Sequence, residues 1–209
     1  MLSSPQRMSD LQELHQRIAS CPDCDLCRTR TNAVPGEGPP DAEILFVGEG
    51  PGFYEDQQSR PFIGPAGKFL EELLASIGLR RDQVFITNVV KCRPPNNRDP
   101  LPGEIEACQK YLKRQIELIR PKVIVSLGRH SLAWFSPGDK ISKAHGQMKV
   151  MDGIYFIPIY HPAAALHAGN MRKVIEEDFK KIPAVLDRAR EGPPEQAAPE
   201  PEPEQMRLF

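Results

Sequence analysis

Hydrophobic positions along the chain fall into two kinds of run. Four are short and continuous, Ile44 to Val47, Val84 to Thr87, Val123 to Leu127 and Tyr155 to Ile159, the length of a buried strand and too short for an independent helix. Around them the spacing is helical. Leu11, Leu14 and Ile18 recur at helical period from Ser9 to Ser20 behind a Ser or Asp cap, and Phe69, Leu70, Leu73, Leu74 and Ile77 share a face that Gly78 terminates. Ile105, Cys108, Leu112 and Ile119 mark another helix, stopped by Pro121, and a last one is expected from Arg172 to about Arg190. Strands alternating with helices predict an α/β fold, a three-layer sandwich around a central parallel four-stranded sheet, with ligands bound beyond the carboxyl ends of the strands.

After Arg190 the pattern stops. The segment 191–209 reads EGPPEQAAPEPEPEQMRLF, whose Pro and Glu content offers nothing to pack and predicts an extended, solvated tail. The chain therefore divides into one domain, 1–190, and a tail, 191–209. The tail also changes the charge picture. The whole chain has a formal charge of -1, but the tail holds five of the 28 acidic residues and only Arg207 of the 27 basic ones, so the domain is left at +3. That mild balance permits brief contact with nucleic acid and argues against a protein that coats it. No apolar run approaches the roughly 20 residues that cross a bilayer, and Met1 to Asp10 lack a secretory signal's apolar stretch. A cytoplasmic, monomeric protein with no membrane partner is expected.

Reduced cysteines are expected there, so five of them need another reason. Cys21 and Cys24 form C-x-x-C, while Cys92 and Cys108 arrive from a strand end and a helix. Four thiolates so placed can surround one metal centre and tie the N-terminal segment to the sheet. Spacing alone leaves zinc and iron-sulfur open. Cys27 extends the motif to C-x-x-C-x-x-C, as a bystander or an alternative ligand.

Three strand ends carry candidate chemistry to one sheet edge. The first strand runs into Gly48-Glu49-Gly50-Pro51-Gly52, where missing side chains let backbone N-H groups approach a ligand. A nucleotide-phosphate loop is the rival reading, but Pro51 removes a donor, no Lys-Ser/Thr ending follows, and the spacing is not G-x-G-x-x-G. The second strand ends in Thr87-Asn88 and the fourth in Tyr160-His161-Pro162, so an amide and an imidazole meet the glycine loop. His15, His130 and His145 read as surface or capping residues.

Together these motifs resemble a known family. C-x-x-C, GEGPG-x-x-ED-x-x-x-RPF-x-G-x-AG, ITN-x-VKCRPP-x-NR, the later Cys108 and the His-Pro after the fourth strand occur in the order found in family 4 uracil-DNA glycosylases, from about Cys21 to Leu166. The resemblance implies a uracil-DNA glycosylase-like sandwich, a 4Fe-4S cluster on Cys21, Cys24, Cys92 and Cys108 with Cys27 outside the ligand set, and a monofunctional glycosylase that flips uracil from single- or double-stranded DNA and hydrolyses its N-glycosidic bond. It also implies a uracil pocket of Gly48, Glu49, Gly50, Glu55, Phe62, Asn88 and His161. Phe62 would stack on the base, Asn88 would read its edge, and Glu55 would exclude the thymine methyl. His161 and backbone N-H groups near Gly50 would stabilise the departing anion. Where better-known relatives carry a water-orienting aspartate this chain has Gly50, which makes Glu49 the carboxylate for that task. Leu166 is the candidate DNA wedge, and Lys68, Arg93, Arg98, Lys140 and Lys143 are candidate phosphate contacts. The chain departs from the family pattern at Phe53 and Tyr54, where acidic residues are frequent, at Ser59, where Gly is common, and at Ala165 and His167 beside Leu166.

The tail ends in Gln205-Met206-Arg207-Leu208-Phe209, which resembles the Q-x-x-L-F peptide that bacterial repair proteins present to the sliding clamp, with Gln205, Leu208 and Phe209 as anchors. Two other readings use fewer of these features. A zinc-stapled nucleic-acid-binding module needs the cysteines but not the Asn88 and His161 convergence, and an iron-sulfur electron carrier needs neither pocket nor DNA.

Overall fold

The computed structural model of the chain describes residues 4–167 and 169–192. In chain order, α1 (Ser4–Ala19) leads through a 3-10 turn at Asp25–Arg28 to β1 (Ile44–Gly48), followed by α2 (Phe53–Gln58), α3 (Pro65–Ser76) and β2 (Phe85–Asn88). Then come α4 (Pro102–Ile119), β3 (Val123–Leu127), α5 (Arg129–Phe135), α6 (Ile141–Ala144), β4 (Lys149–Met151) and β5 (Ile154–Ile159). The described part closes with α7 (Ala164–His167), α8 (Gly169–Phe179) and α9 (Ile182–Glu191).

The four apolar runs form parallel strands, and β4 adds a short antiparallel edge, giving the order β2-β1-β3-β5-β4. Alternation within each strand feeds two separate cores. Leu45, Val47, Phe85, Ile124 and Phe156 face α1 and α4. Ile44, Phe46, Ile86, Val125 and Ile157 face the opposite way, toward α3, α8 and α9. With both faces covered, strand residues are buried without polar relief, which is why they read as continuous apolar runs.

The structure refines two expectations. The helix expected from Arg172 to Arg190 is two helices, with a break at Lys180 and Lys181. Pro183 stands at the start of α9, where its missing N-H costs nothing, whereas inside a continuous helix it would remove a hydrogen bond. Helix α1 begins five residues before Ser9. Among the described residues no helix is long and apolar enough to cross a membrane.

The sheet order reverses at β1, since β2 lies on one side of it and β3 on the other. Chains leaving β1 and β3 therefore diverge and open a crevice at their carboxyl ends.

Candidate active site

That crevice is a cleft of about 620 Å³, lined among others by Glu49, Gly50, Glu55, Phe62, Asn88, His161 and Leu166. Gly48 lies behind them. A Cβ there would collide with Asn88 Oδ1 and with the Phe62 ring, so its missing side chain makes room for both groups.

Asn88 ends β2 and is 1% exposed, yet its Oδ1 has no hydrogen-bond partner. A buried, unsatisfied acceptor costs about 1–3 kcal/mol, which a ligand donor would relieve. Phe62 adopts φ 51, in the left-handed region. Its carbonyl accepts from Arg81 Nη1 at 2.8 Å, and the same arginine pairs with Glu37 at 2.7 Å. These bonds hold a strained turn that presents the ring to the cleft.

His161 follows β5, with its ring stacked on Phe62 at 5.5 Å between centroids and 26° between planes. Burial pushes its pKa down to about 4, against a weaker opposing pull from Glu55, so the imidazole is neutral at pH 7. The Ala163 N-H donates to Nδ1 at 3.1 Å. In a neutral ring that places the proton on Nε2.

Glu55, in the first turn of α2, accepts from the N-H groups of Ile63 and Gly64, both at 2.9 Å. Its other oxygen stands 2.8 Å from where a Cβ on Gly52 would be, so the carboxylate fills space that a side chain at position 52 would otherwise occupy. Gly50 is closed to side chains for a different reason, since a Cβ there would lie 2.8 Å from Val90 Cγ2.

Glu49 stands at the crevice beside two residues that the sequence pattern did not bring to this site. His130 Nε2, from the start of α5, lies 3.7 Å from Glu49 and 3.3 Å from Asp99, while Asp99 pairs with Arg129 at 2.5 Å. Burial raises the Glu49 pKa, His130 and Arg129 oppose the rise, and Asp99 adds to it. His130 is thus part of the cleft's charge network and not a capping residue. A cue was available, because a residue just after β3 must fall at the same edge as one just after β1.

The remaining candidates divide. Leu166 is 48% exposed at the cleft. Arg98 lines the cleft but is held by Glu104 at 2.6 Å, and Arg93 lies 5.2 Å over the Phe53 ring. Lys140 and Lys143 border a separate recess, and Lys68 is an exposed residue of α3. Gln205, Leu208 and Phe209 lie outside the described residues.

On the α1 and α4 side, Cys21, Cys24, Cys92 and Cys108 border a small hollow, and Cys27 borders it as well. No disulfide joins any of the five. Burial pushes the Cys108 thiol up to about 11 and also raises Cys24 and Cys92. Thiolates here need a positive centre, and two donors are ready for them. Arg30 Nη1 reaches Cys92 Sγ at 2.9 Å, and the Lys91 N-H reaches Cys108 Sγ at 3.3 Å. Lys91 is itself buried, with Nζ donating at 2.7 Å to Thr87 Oγ1, Gln115 Oε1 and the Asn88 carbonyl.

Comparison with known proteins identifies the family. The family model of the uracil DNA glycosylase superfamily matches residues 35–182. A type-4 uracil-DNA glycosylase of Sulfurisphaera tokodaii is 56% identical over 185 residues, covering 84% of both chains. One of Archaeoglobus fulgidus is 52% identical over 184 residues, covering 84% of this chain and 92% of its own, and one of Thermotoga maritima is 44% identical over 183, covering 85% and 95%. With identity this high over most of each chain, the protein belongs to the uracil-DNA glycosylase superfamily and, within it, to the type-4 uracil-DNA glycosylases.

Proposed function

We propose that the chain removes uracil from DNA by extruding the nucleotide into the cleft and hydrolysing its N-glycosidic bond, the first step of base-excision repair. The observation that carries this reading is the unpartnered Oδ1 of buried Asn88 beside Phe62. Uracil N3-H donates to that oxygen while O4 accepts from the amide nitrogen. Cytosine presents the reverse pattern at both atoms, so it leaves two buried mismatches.

The offset of the two rings suits the same base. Stacked rings lie about 3.5 Å apart plane to plane, so centroids at 5.5 Å mean a sideways shift. A base roughly coplanar with His161 then takes the Nε2 proton edge-on while lying under the free part of the Phe62 face. As the glycosidic bond breaks, its electron pair leaves with the base. The His161 Nε2-H and backbone N-H groups near Gly50 donate to the oxygen where that charge collects. Glu49 orients and deprotonates the water that meets the sugar cation, a task for which a raised pKa is suited. Anchored Glu55 leaves no room for a methyl at C5, and Leu166 enters the gap left by the extruded nucleotide.

We infer a 4Fe-4S cluster on Cys21, Cys24, Cys92 and Cys108. All four border one hollow, and the family resemblance that selects them implies this cluster in place of zinc. Cys27 accompanies the centre, with its sulfur 3.8 Å from the Pro22 carbonyl. When bound, the cluster supplies a cross-link between chain segments, since hydrolysis consumes no electron. The five residues from Gln205 to Phe209 dock on a bacterial sliding clamp, and their deletion is expected to abolish clamp binding while sparing excision from short oligonucleotides.

The deciding assay is single-turnover release of free base from labelled strands by metal-replete protein. Uracil should be released and cytosine retained, and His161→Ala should slow release by about 10²- to 10³-fold. A preparation that leaves deoxyuridine strands untouched would defeat the reading.

A further inference from the structure

Helix α2 is built inside out. Its buried residue is acidic: Asp56, 2% exposed, accepts from the Thr31 N-H at 2.9 Å and the Asn32 N-H at 3.3 Å. Its aromatic residues point the other way, with Phe53 51% and Tyr54 53% exposed. The two rings meet edge to face, 5.6 Å between centroids and 80° between planes. Tyr54 leans over Gly64, where a Cβ would stand 3.2 Å from Tyr54 Cδ2, and the Arg93 guanidinium lies over Phe53. Carboxylates anchored inward thus hold two aromatic faces outward on a short, fixed element.

Position says what these faces are for. Phe53 and Tyr54 line the same cleft as Asn88 and His161, and Leu166, also exposed, lines it with them. The other large exposed apolar side chains among the described residues, Met8, Leu101 and Val150, are not part of it. Rings held in water at the mouth of a nucleotide site, beside a guanidinium that attracts a phosphate backbone, have the make-up of a base-stacking surface.

We propose that Phe53 and Tyr54 form a stacking platform for an undamaged base next to the extruded uridine on the same strand. The proposal rests on the uracil reading of the cleft and adds a second subsite to it. Stacking of this kind is indifferent to base identity, because every base has a π face, and it matters most for single strands, where no complementary strand holds the neighbour in place. The platform therefore favours uracil in single-stranded DNA.

The test is steady-state excision by the full-length, metal-replete protein on two single-stranded oligonucleotides, one with normal bases beside the uracil and one with abasic sites there. For the doubly substituted Phe53→Ala, Tyr54→Ala protein, KM on the base-flanked strand should rise about tenfold to a hundredfold with kcat nearly unchanged. On the abasic-flanked strand, already weak for the unaltered protein, KM should barely move. Phe53→Leu keeps apolar volume and loses the ring, so it should show the same selective rise on a smaller scale. A KM unaltered on the base-flanked strand, or raised equally on both strands, overturns the platform. Failure of the unaltered protein to release uracil from either strand would instead defeat the underlying reading.

Discussion

At the scale of single residues, the cleft concentrates groups whose states are set by burial. His161 is kept neutral with its proton on Nε2, and Asn88 keeps an unsatisfied oxygen. Glu49 shows the cost of such placement. Because burial raises its pKa, the folded state binds its proton more tightly than the unfolded chain, so the ionised form present at neutral pH destabilises the fold and protonation relieves that strain as pH falls. The water-activating role proposed for Glu49 needs the opposite state. The acid limb of kcat/KM is therefore expected above the ordinary glutamate range, and Glu49→Gln should lower single-turnover excision about 10²-fold or more while melting no earlier than the unaltered protein. A pH-rate profile and a melting curve check both halves. Asn88 and His161 were legible in the sequence because each lies at the end of an apolar strand or just past it. Asp99 was not, since it lies in an irregular loop with no periodic signal, although that loop lines the cleft and pairs there with Arg129 and His130.

At the scale of elements, legibility followed the length of the apolar signal. Strands β1, β2, β3 and β5 each bury nearly all their residues and could be read directly. Strand β4 has three residues, none fully buried, and α2 reads FYEDQQ, so neither carries a hydrophobic period long enough to register. The fit of α3 against the Phe62 turn was equally silent. A Cβ on Gly67, in the first turn of α3, would overlap the carbonyl oxygen and carbonyl carbon of Phe62. These are backbone atoms, so no side chain can swing aside. Gly67→Ala is expected to push the Phe62 turn out of the cleft, reduce excision at least about tenfold, and destabilise the fold by about 1–3 kcal/mol. Gly103→Ala is the matching control. It sits in α4, and a Cβ on it would meet nothing within 4 Å, so the same change should be neutral or stabilise by up to about 0.5 kcal/mol. Chemical denaturation of both variants, beside the excision assay, separates the two effects.

At the scale of the whole molecule, the two faces of the sheet are held differently. The core under α3, α8 and α9 is apolar, with Phe46 stacked on Phe179 at 5.9 Å, and ion pairs such as Arg172 to Glu72 at 2.7 Å tie its helices at the edge. The core under α1 and α4 contains the cysteine centre, and the chain between α1 and β1 reaches it through Cys21, Cys24 and the Arg30 contacts to Cys92 and to the Ala19 carbonyl at 2.8 Å. The cysteine spacing made the gathering of these residues legible, but not the asymmetric place of their hollow, because which helices cover which face depends on connections that periodicity does not encode. Removing the proposed cluster should therefore act on one side first. After chelation, amides of α1 and of residues 21–34 should exchange hydrogen faster, while those of β1, β3 and β5, held also by the other core, keep their protection. The melting temperature should fall as well, since thiols that burial keeps protonated replace a cross-link. Excision should weaken too, because the Lys91 side chain that donates to the Asn88 carbonyl stands next to Cys92 and borders the emptied site. Hydrogen exchange resolved by residue, before and after iron removal, checks this order of events, and equal loss of protection on both faces would show that the centre holds the whole sheet.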